Sequence, residues 1–326
     1  MKKIQETFKL LEKTMLLLRW FTPVIALLCP GQGAQKPGFL TPWLELDGVS
    51  EHLQKLSAAA DLDLIRYGTE ADEDTIKDTA IAQPLIVAAG LVTGKLALKL
   101  LSDRDVIFAG HSVGEITAAA LAGVLTEEEA MKFIRVRANG MAEAAAATPT
   151  GMSAVLGGVE DDIREAISAA GLTAANSNGG GQIVAAGSLE NLAAFAENPP
   201  AKTRVIPLKV AGAFHTSYME AAQGPLADFA DTLTPKDPTS ALLSNFDGAP
   251  VSSGSAALDS LVAQVTRPVR WDLCMASLSE AGVEHLVEVA PAGTLVGLAK
   301  RGLRGTPASA INSPDDLDAL TAALSA

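Results

Sequence analysis

Gly110-His111-Ser112-Val113-Gly114 reads Gly-x-Ser-x-Gly, the pattern of a nucleophile elbow. Before it, Asp105-Val106-Ile107-Phe108-Ala109 is a short apolar run fit for a buried strand. After it, Glu115 to Leu121 is alanine-rich and fits a helix. Strand, tight turn and helix are the context in which such a serine stands exposed at a sharp bend, with flanking glycines letting neighbouring backbone come close. The helix start aims free N–H groups at any oxyanion formed beside the serine.

A serine hydroxyl is a poor nucleophile unless a base takes its proton. Four histidines are available. His52 lies in a polar helical stretch and reads as surface. His111 adjoins Ser112, but the turn sends its side chain elsewhere, towards a structural or substrate-side role. His285 sits in an apolar strand and reads as a core histidine. His215 lies in the loop Gly212-Ala213-Phe214-His215-Thr216, after a small subdomain, and is well placed to face a cleft. We therefore take His215 as the base. No acid between Ser112 and His215 stands out as a third member, so a backbone carbonyl is the other way to fix the imidazole tautomer.

The rest of the chain reads as an α/β protein. Val24 to Cys29 is a strand ending at the loop Pro30-Gly31-Gln32-Gly33-Ala34-Gln35, and Val49 to Ala60 is a helix. A long apolar helix is expected to start near Gln83-Pro84, with proline in its tolerated first turn. Thr126-Glu127-Glu128-Glu129 is a capping box. In the helix it opens, Ala130, Phe133, Ile134 and Met141 form a buried face, and Arg137 falls in that stripe. A guanidinium facing the interior must find an acceptor, either a protein carboxylate or a ligand. From 151 to 208 the order is β-α-β-β-α-β, the ferredoxin-like arrangement, with Asn176 to Gly181 read as a turn. The expected division is an N-terminal extension (1–23), a large α/β-hydrolase-like domain with a parallel sheet (24–150 and 209–326), and an inserted ferredoxin-like subdomain (151–208). Ala241 to Asn245 and Val283 to Val289 are further strands of the large domain, and a short final helix starts at Pro314.

The 326 residues carry a net charge of −13, which argues against nucleic acid as the main partner. No uninterrupted apolar run reaches membrane-spanning length, so no membrane is expected as a partner. Two cysteines cannot build a disulfide framework, and a reduced, cytoplasmic setting follows by default. Ile4 to Trp20 reads as a helical extension; Glu6, Glu12, Arg19 and Pro23 argue against a signal peptide. No metal-ligand spacing is present.

Taken in order, these residues resemble the malonyl-CoA:acyl carrier protein transacylases and the related acyltransferase domains of polyketide synthases. The resemblance rests on Pro30 to Gln35, Thr79 to Pro84 with Gln83, Gly110 to Glu115, Arg137 with Met141, Ala213-Phe214-His215, Gln264 through Pro268 to Trp271, and Gly282 to His285. It spans about residues 24 to 312. Ala34, where serine is frequent, and Thr216, which replaces the usual serine, are mild departures. The resemblance implies that Ser112 carries the acyl group and His215 acts as base and then acid. It implies an oxyanion hole from the N–H groups of Gln32 and Val113, and a main-chain carbonyl of Gln264 that orients His215. Arg137 is implied to bind malonate, with Gln83, Phe214 and His111 on the substrate side. Val113 after the serine and Phe214 before the histidine favour malonate over methylmalonate. The implied partners are malonyl-CoA and an acyl carrier protein, with no metal or redox cofactor.

Two other functions stay open at this level. The elbow alone also fits a serine esterase or thioesterase, against which Arg137 and the missing triad acid speak. A non-catalytic carrier-docking protein would have little use for Ser112, His215 and Gln32 together. Acyl carrier proteins are acidic, so docking on a chain of −13 requires a local basic patch. The candidates are Lys300, Arg301 and Arg304, and Lys202, Arg204 and Lys209.

Overall fold

The computed structural model describes residues 24–325; the helix read over Ile4 to Trp20 lies outside the described residues. Along the chain, β1 (Val24–Cys29) leads to α1 (Val49–Ala60), α2 (Leu64–Thr69) and α3 (Thr79–Leu100). Then come β2 (Asp105–Gly110), α4 (Gly114–Leu121) and α5 (Glu127–Ala147). The next stretch holds β3 (Thr150–Gly157), α6 (Glu160–Ala169), β4 (Thr173–Gly179), β5 (Gln182–Ser188), α7 (Leu189–Glu197) and β6 (Thr203–Pro207). The chain ends with α8 (Glu220–Ala230), β7 (Leu242–Leu243), α9 (Gly254–Ala263), β8 (Val269–Arg270), α10 (Trp271–Glu280), β9 (His285–Glu288), α11 (Thr294–Gly302), β10 (Ala308–Ala310) and α12 (Pro314–Ser325).

Among the described residues two five-stranded sheets result. The first runs β10-β9-β1-β2-β7 with every pairing parallel. Its central β1 is buried on both faces, as its unbroken apolar sequence requires. The second runs β6-β3-β5-β4-β8. Its first four strands are antiparallel in the ferredoxin-like order, and β8 joins parallel to β4 through Asn176 and Ser177. The stretch from Asn176 to Gly179 is therefore strand rather than turn. Polar side chains are kept there because β4 borders the cleft, and only Gly180 and Gly181 make the bend. Conversely, the strand read over Ala241 to Asn245 shrinks to two residues at the sheet edge.

The long helix α3 begins earlier than expected. Asp78 caps it, its carboxylate accepting from Ala80 N–H at 2.7 Å. Pro84 thus sits inside the helix, where it lacks the N–H that would bond the Ala80 carbonyl. Arg135 of α5 fills that gap, donating from Nη1 to the Ala80 oxygen at 2.9 Å. Among the described residues α3 is long and apolar enough to cross a membrane, but here most of it is packed in the core. The capping box of α5 forms as read: Glu129 N–H donates to Thr126 Oγ1 at 3.2 Å and Thr126 N–H to Glu129 Oε2 at 2.8 Å.

Candidate active site

The serine turn is built by close backbone approach. A Cβ on Gly110 would come within 2.1 Å of the Gly114 carbonyl group, and one on Gly114 within 2.1 Å of the Cys29 carbonyl oxygen. Only glycine lets the end of β1 and the turn after β2 pass this closely. Ser112 itself takes φ 53°, a left-handed conformation costly for a residue with a side chain. Its N–H donates to Asn245 Oδ1 at 2.8 Å, and Asn245 Nδ2 donates to the Gly110 carbonyl at 2.6 Å. The turn is thus braced from β2 to the end of β7. The N–H groups of Gln32 and Val113 donate no hydrogen bond among the described residues.

His215 also has a positive φ, 62°. Its loop is pinned by Ala213 N–H donating to Thr150 Oγ1 at 3.0 Å and Thr216 Oγ1 donating to the Ala213 carbonyl at 2.6 Å. The imidazole is buried, with Nε2 2.7 Å from Ser112 Oγ and Nδ1 2.8 Å from the Gln264 main-chain oxygen. A carbonyl only accepts, so Nδ1 carries the proton and Nε2 is left to accept from the serine hydroxyl. The acceptor that no acid supplies is this carbonyl.

Burial, reinforced by the nearby Arg137 charge, holds the His215 pKa down to about 3 from the ordinary 6.5. The imidazole is therefore neutral, and able to accept a proton, across the physiological range. The same shift costs stability in acid. Below pH 6.5 the unfolded chain binds a proton that folded His215 refuses, so stability falls as pH drops from about 6.5 towards 3. At pH 5 this amounts to about 2 kcal/mol. His215→Gln is expected to lose less Tm between pH 7.5 and pH 5 than the unaltered protein; equal losses in thermal melts reject the assignment.

Arg137 is fully buried on the face of α5 where its spacing put it. Among the described residues it makes no direct ion pair. Nη1 donates to Gln83 Oε1 at 2.7 Å and Nη2 to Gln264 Oε1 at 2.9 Å, while Nε has no partner among the described residues. Burial lowers its pKa to about 10, so it stays charged at neutral pH. The interior carboxylate nearest in role is Glu115, and Gln264 stands between them: its Oε1 accepts from Arg137 and its Nε2 donates to Glu115. Burial pushes the Glu115 pKa up to about 7. Gln83 Nε2 also donates to Gln32 Oε1 at 3.3 Å, linking this cluster to the Gly31 loop.

A cleft of about 210 Å³ opens onto Ser112 and His215. Its walls include Gln32, Gln83, His111 and Phe214. The Val113 side chain does not reach it and is buried in the main core. His111 Nε2 lies 2.9 Å from Asn178 Oδ1, and its ring meets Trp271 edge-on at 5.7 Å. His285 bonds Ser309 Oγ at 2.8 Å, away from the cleft, and His52 bonds Glu127. Sequence reading missed Asn245, whose position two residues beyond a two-residue strand carries no signal. It gave no role to Glu115, which directly follows Gly114 of the serine motif.

A family model described as an acyl transferase domain matches residues 26–316. The malonyl CoA-acyl carrier protein transacylase of Mycobacterium tuberculosis is 54% identical over 299 residues, covering 91% of this chain and 99% of the relative. A crystal structure of MCAT from Mycobacterium tuberculosis superposes with TM-score 0.89 at 53% identity, over 91% of this chain and 99% of that one. A malonyl-transacylase in complex with its type II PKS acyl-carrier protein matches with TM-score 0.86 at 26% identity, over 93% and 100%. With serine, histidine and buried arginine arranged as above, the chain belongs to the acyl transferase family, within its malonyl-CoA:acyl carrier protein transacylases.

Proposed function

We propose that this protein moves a malonyl group from malonyl-CoA to the phosphopantetheine thiol of an acyl carrier protein through an ester on Ser112. The observation that carries the reading is the Ser112 Oγ to His215 Nε2 contact of 2.7 Å beside a buried, unneutralised Arg137. Ser112 Oγ attacks the thioester carbon while its proton passes to Nε2. The C–S bond breaks and the CoA sulfur leaves with that proton. The carrier thiol then attacks the ester, giving its proton to Nε2, which returns it to Ser112 Oγ. The N–H groups of Gln32 and Val113 serve the oxyanion in both steps. Arg137 takes the malonate carboxylate, a stronger acceptor than the neutral amide oxygens of Gln83 and Gln264 that position it. His111 and Phe214 line the acyl and pantetheine side, and Val113 acts there through its backbone. Exchange between thioester and ester needs a base and oxyanion donors and calls for no metal or redox group.

The chain divides into two lobes, 24–150 with 209–326 and 151–208, and its setting is cytoplasmic, a reading supported by two buried, unpaired cysteines. The charge of −13 disfavours nucleic acid and anionic membrane surfaces. Incubation with labelled malonyl-CoA and a holo carrier protein tests the reading. Label is expected on the carrier thiol; release chiefly as free malonate makes the protein a thioesterase.

The carrier is expected to dock at the cleft rim. Lys300 and Arg301 are exposed at the end of α11, whose Thr294, Leu295 and Leu298 line the cleft. Exposed Lys209 stands between the cleft residues Leu208 and Val210. Lys300→Glu and Arg301→Glu are expected to raise the KM for carrier about 3- to 10-fold at low salt, with the KM for malonyl-CoA unchanged. The defect shrinks as salt screens the steering. An unmoved carrier KM in both variants removes this end of α11 from the docking surface.

A further inference from the structure

Glu115 is a buried carboxylate packed behind the serine turn, and the transfer steps above do not use it. It is 3% exposed, in the first turn of α4, three residues after Ser112. Its Oε1 accepts from the backbone N–H of Asn245 at 3.0 Å. Its Oε2 accepts from Gln264 Nε2. Each of these two partners holds part of the reacting machinery. The Asn245 side chain braces the turn at Ser112 N–H and the Gly110 carbonyl. Gln264 receives His215 Nδ1 on its main-chain oxygen and Arg137 Nη2 on its side-chain oxygen, and its Nε2 also reaches the Ser112 carbonyl at 3.1 Å.

We infer that Glu115 is a positioning residue: acting through Gln264 and Asn245, its carboxylate holds serine, imidazole and guanidinium in one fixed arrangement. Two features of the chemistry favour a carboxylate here. Both oxygens face N–H donors, so an amide of the same shape would set its own N–H2 against one of them. The acid also turns the Gln264 amide so that its oxygen meets Arg137. A carboxylate touching Arg137 directly would cancel the charge that a malonyl group needs; the interposed amide keeps acid and base near each other without pairing them. The assignment of Arg137 to malonate rests on the transfer reading, whereas the bracing of Ser112 and His215 does not.

The test uses Glu115→Gln, which keeps size and removes one acceptor, and Glu115→Asp, which keeps charge but withdraws the oxygens. Each full-length variant is read by thermal melt, by the rate at which a fluorophosphonate reagent labels Ser112, and by kcat and KM for malonyl transfer. The expected result is a folded protein whose labelling rate and kcat both fall about 10- to 10²-fold, with the KM for malonyl-CoA rising as Arg137 loosens. A variant that melts lower but labels and turns over within twofold of the unaltered protein overturns the inference. Failure of both variants to fold also overturns it, in favour of a purely structural acid. The labelling arm contains no malonyl group. If the unaltered protein labels at Ser112 but accepts no malonyl, the transfer reading fails while the labelling rates still decide the role of Glu115.

Discussion

Mixing the protein with malonyl-CoA adds one malonyl mass to the peptide carrying Ser112, and Ser112→Ala adds none. The expectation follows from the 2.7 Å contact between the Ser112 hydroxyl and the neutral, buried imidazole nitrogen of His215. Ser112 is held at a left-handed φ by glycines and by Asn245, so no neighbouring hydroxyl can take its place without rebuilding the turn. His215→Ala keeps the serine but removes the acceptor for its proton, and acylation is expected to slow by about 10²- to 10⁴-fold. Intact-mass spectrometry of both variants checks this. A malonyl adduct that persists in Ser112→Ala moves the nucleophile elsewhere. An unchanged acylation rate in His215→Ala removes His215 as the base.

Arg137→Ala is expected to lose malonyl transfer by about 10²- to 10³-fold and to raise the ratio of acetyl to malonyl transfer. Two charge-assisted hydrogen bonds to a buried carboxylate are worth about 3–4 kcal/mol in this setting, which is that range of rate. The ratio rises because malonyl loses its charged partner in the variant, whereas an uncharged acyl group gains nothing from a guanidinium that already bonds two neutral amides. Arg137 also bonds Gln83 and Gln264, so its removal can loosen the fold. Loss of stability alone lowers acetyl and malonyl rates together. Rates for both thioesters in folded Arg137→Ala, normalised to Ser112 labelled by a neutral serine reagent, separate the two. An unchanged ratio makes Arg137 structural.

Much of this site stands in local pattern. The serine turn was readable because its constraints are local: a strand, a glycine at each close approach and a helix start lie within one run of residues. The capping box and the buried stripe placed Arg137 on an inward face for the same reason, since three- and four-residue spacing maps directly onto one side of a helix. The choice of His215 rested on a weaker signal, a loop at a subdomain junction. The resemblance supplied the carbonyl of Gln264, which no property of residue 264 itself announces.

What the chain by itself determined is therefore the set of elements and the residues facing inward. The tertiary structure alone decided which distant residues meet. Asn245 lies 133 positions from Ser112 and Gln264 lies 127 from Arg137, and only the parallel sheet with its returning helices brings them together. Elements misread along the chain fail for one physical reason. Pro84 is tolerated inside α3 because Arg135, from another helix, satisfies the carbonyl it orphans. The polar run at Asn176 stays extended because β5 pairs with it on one side and β8, 93 positions later, on the other. Local propensity counts bonds within a few residues, whereas here the deciding hydrogen bonds come from elements that only folding places alongside.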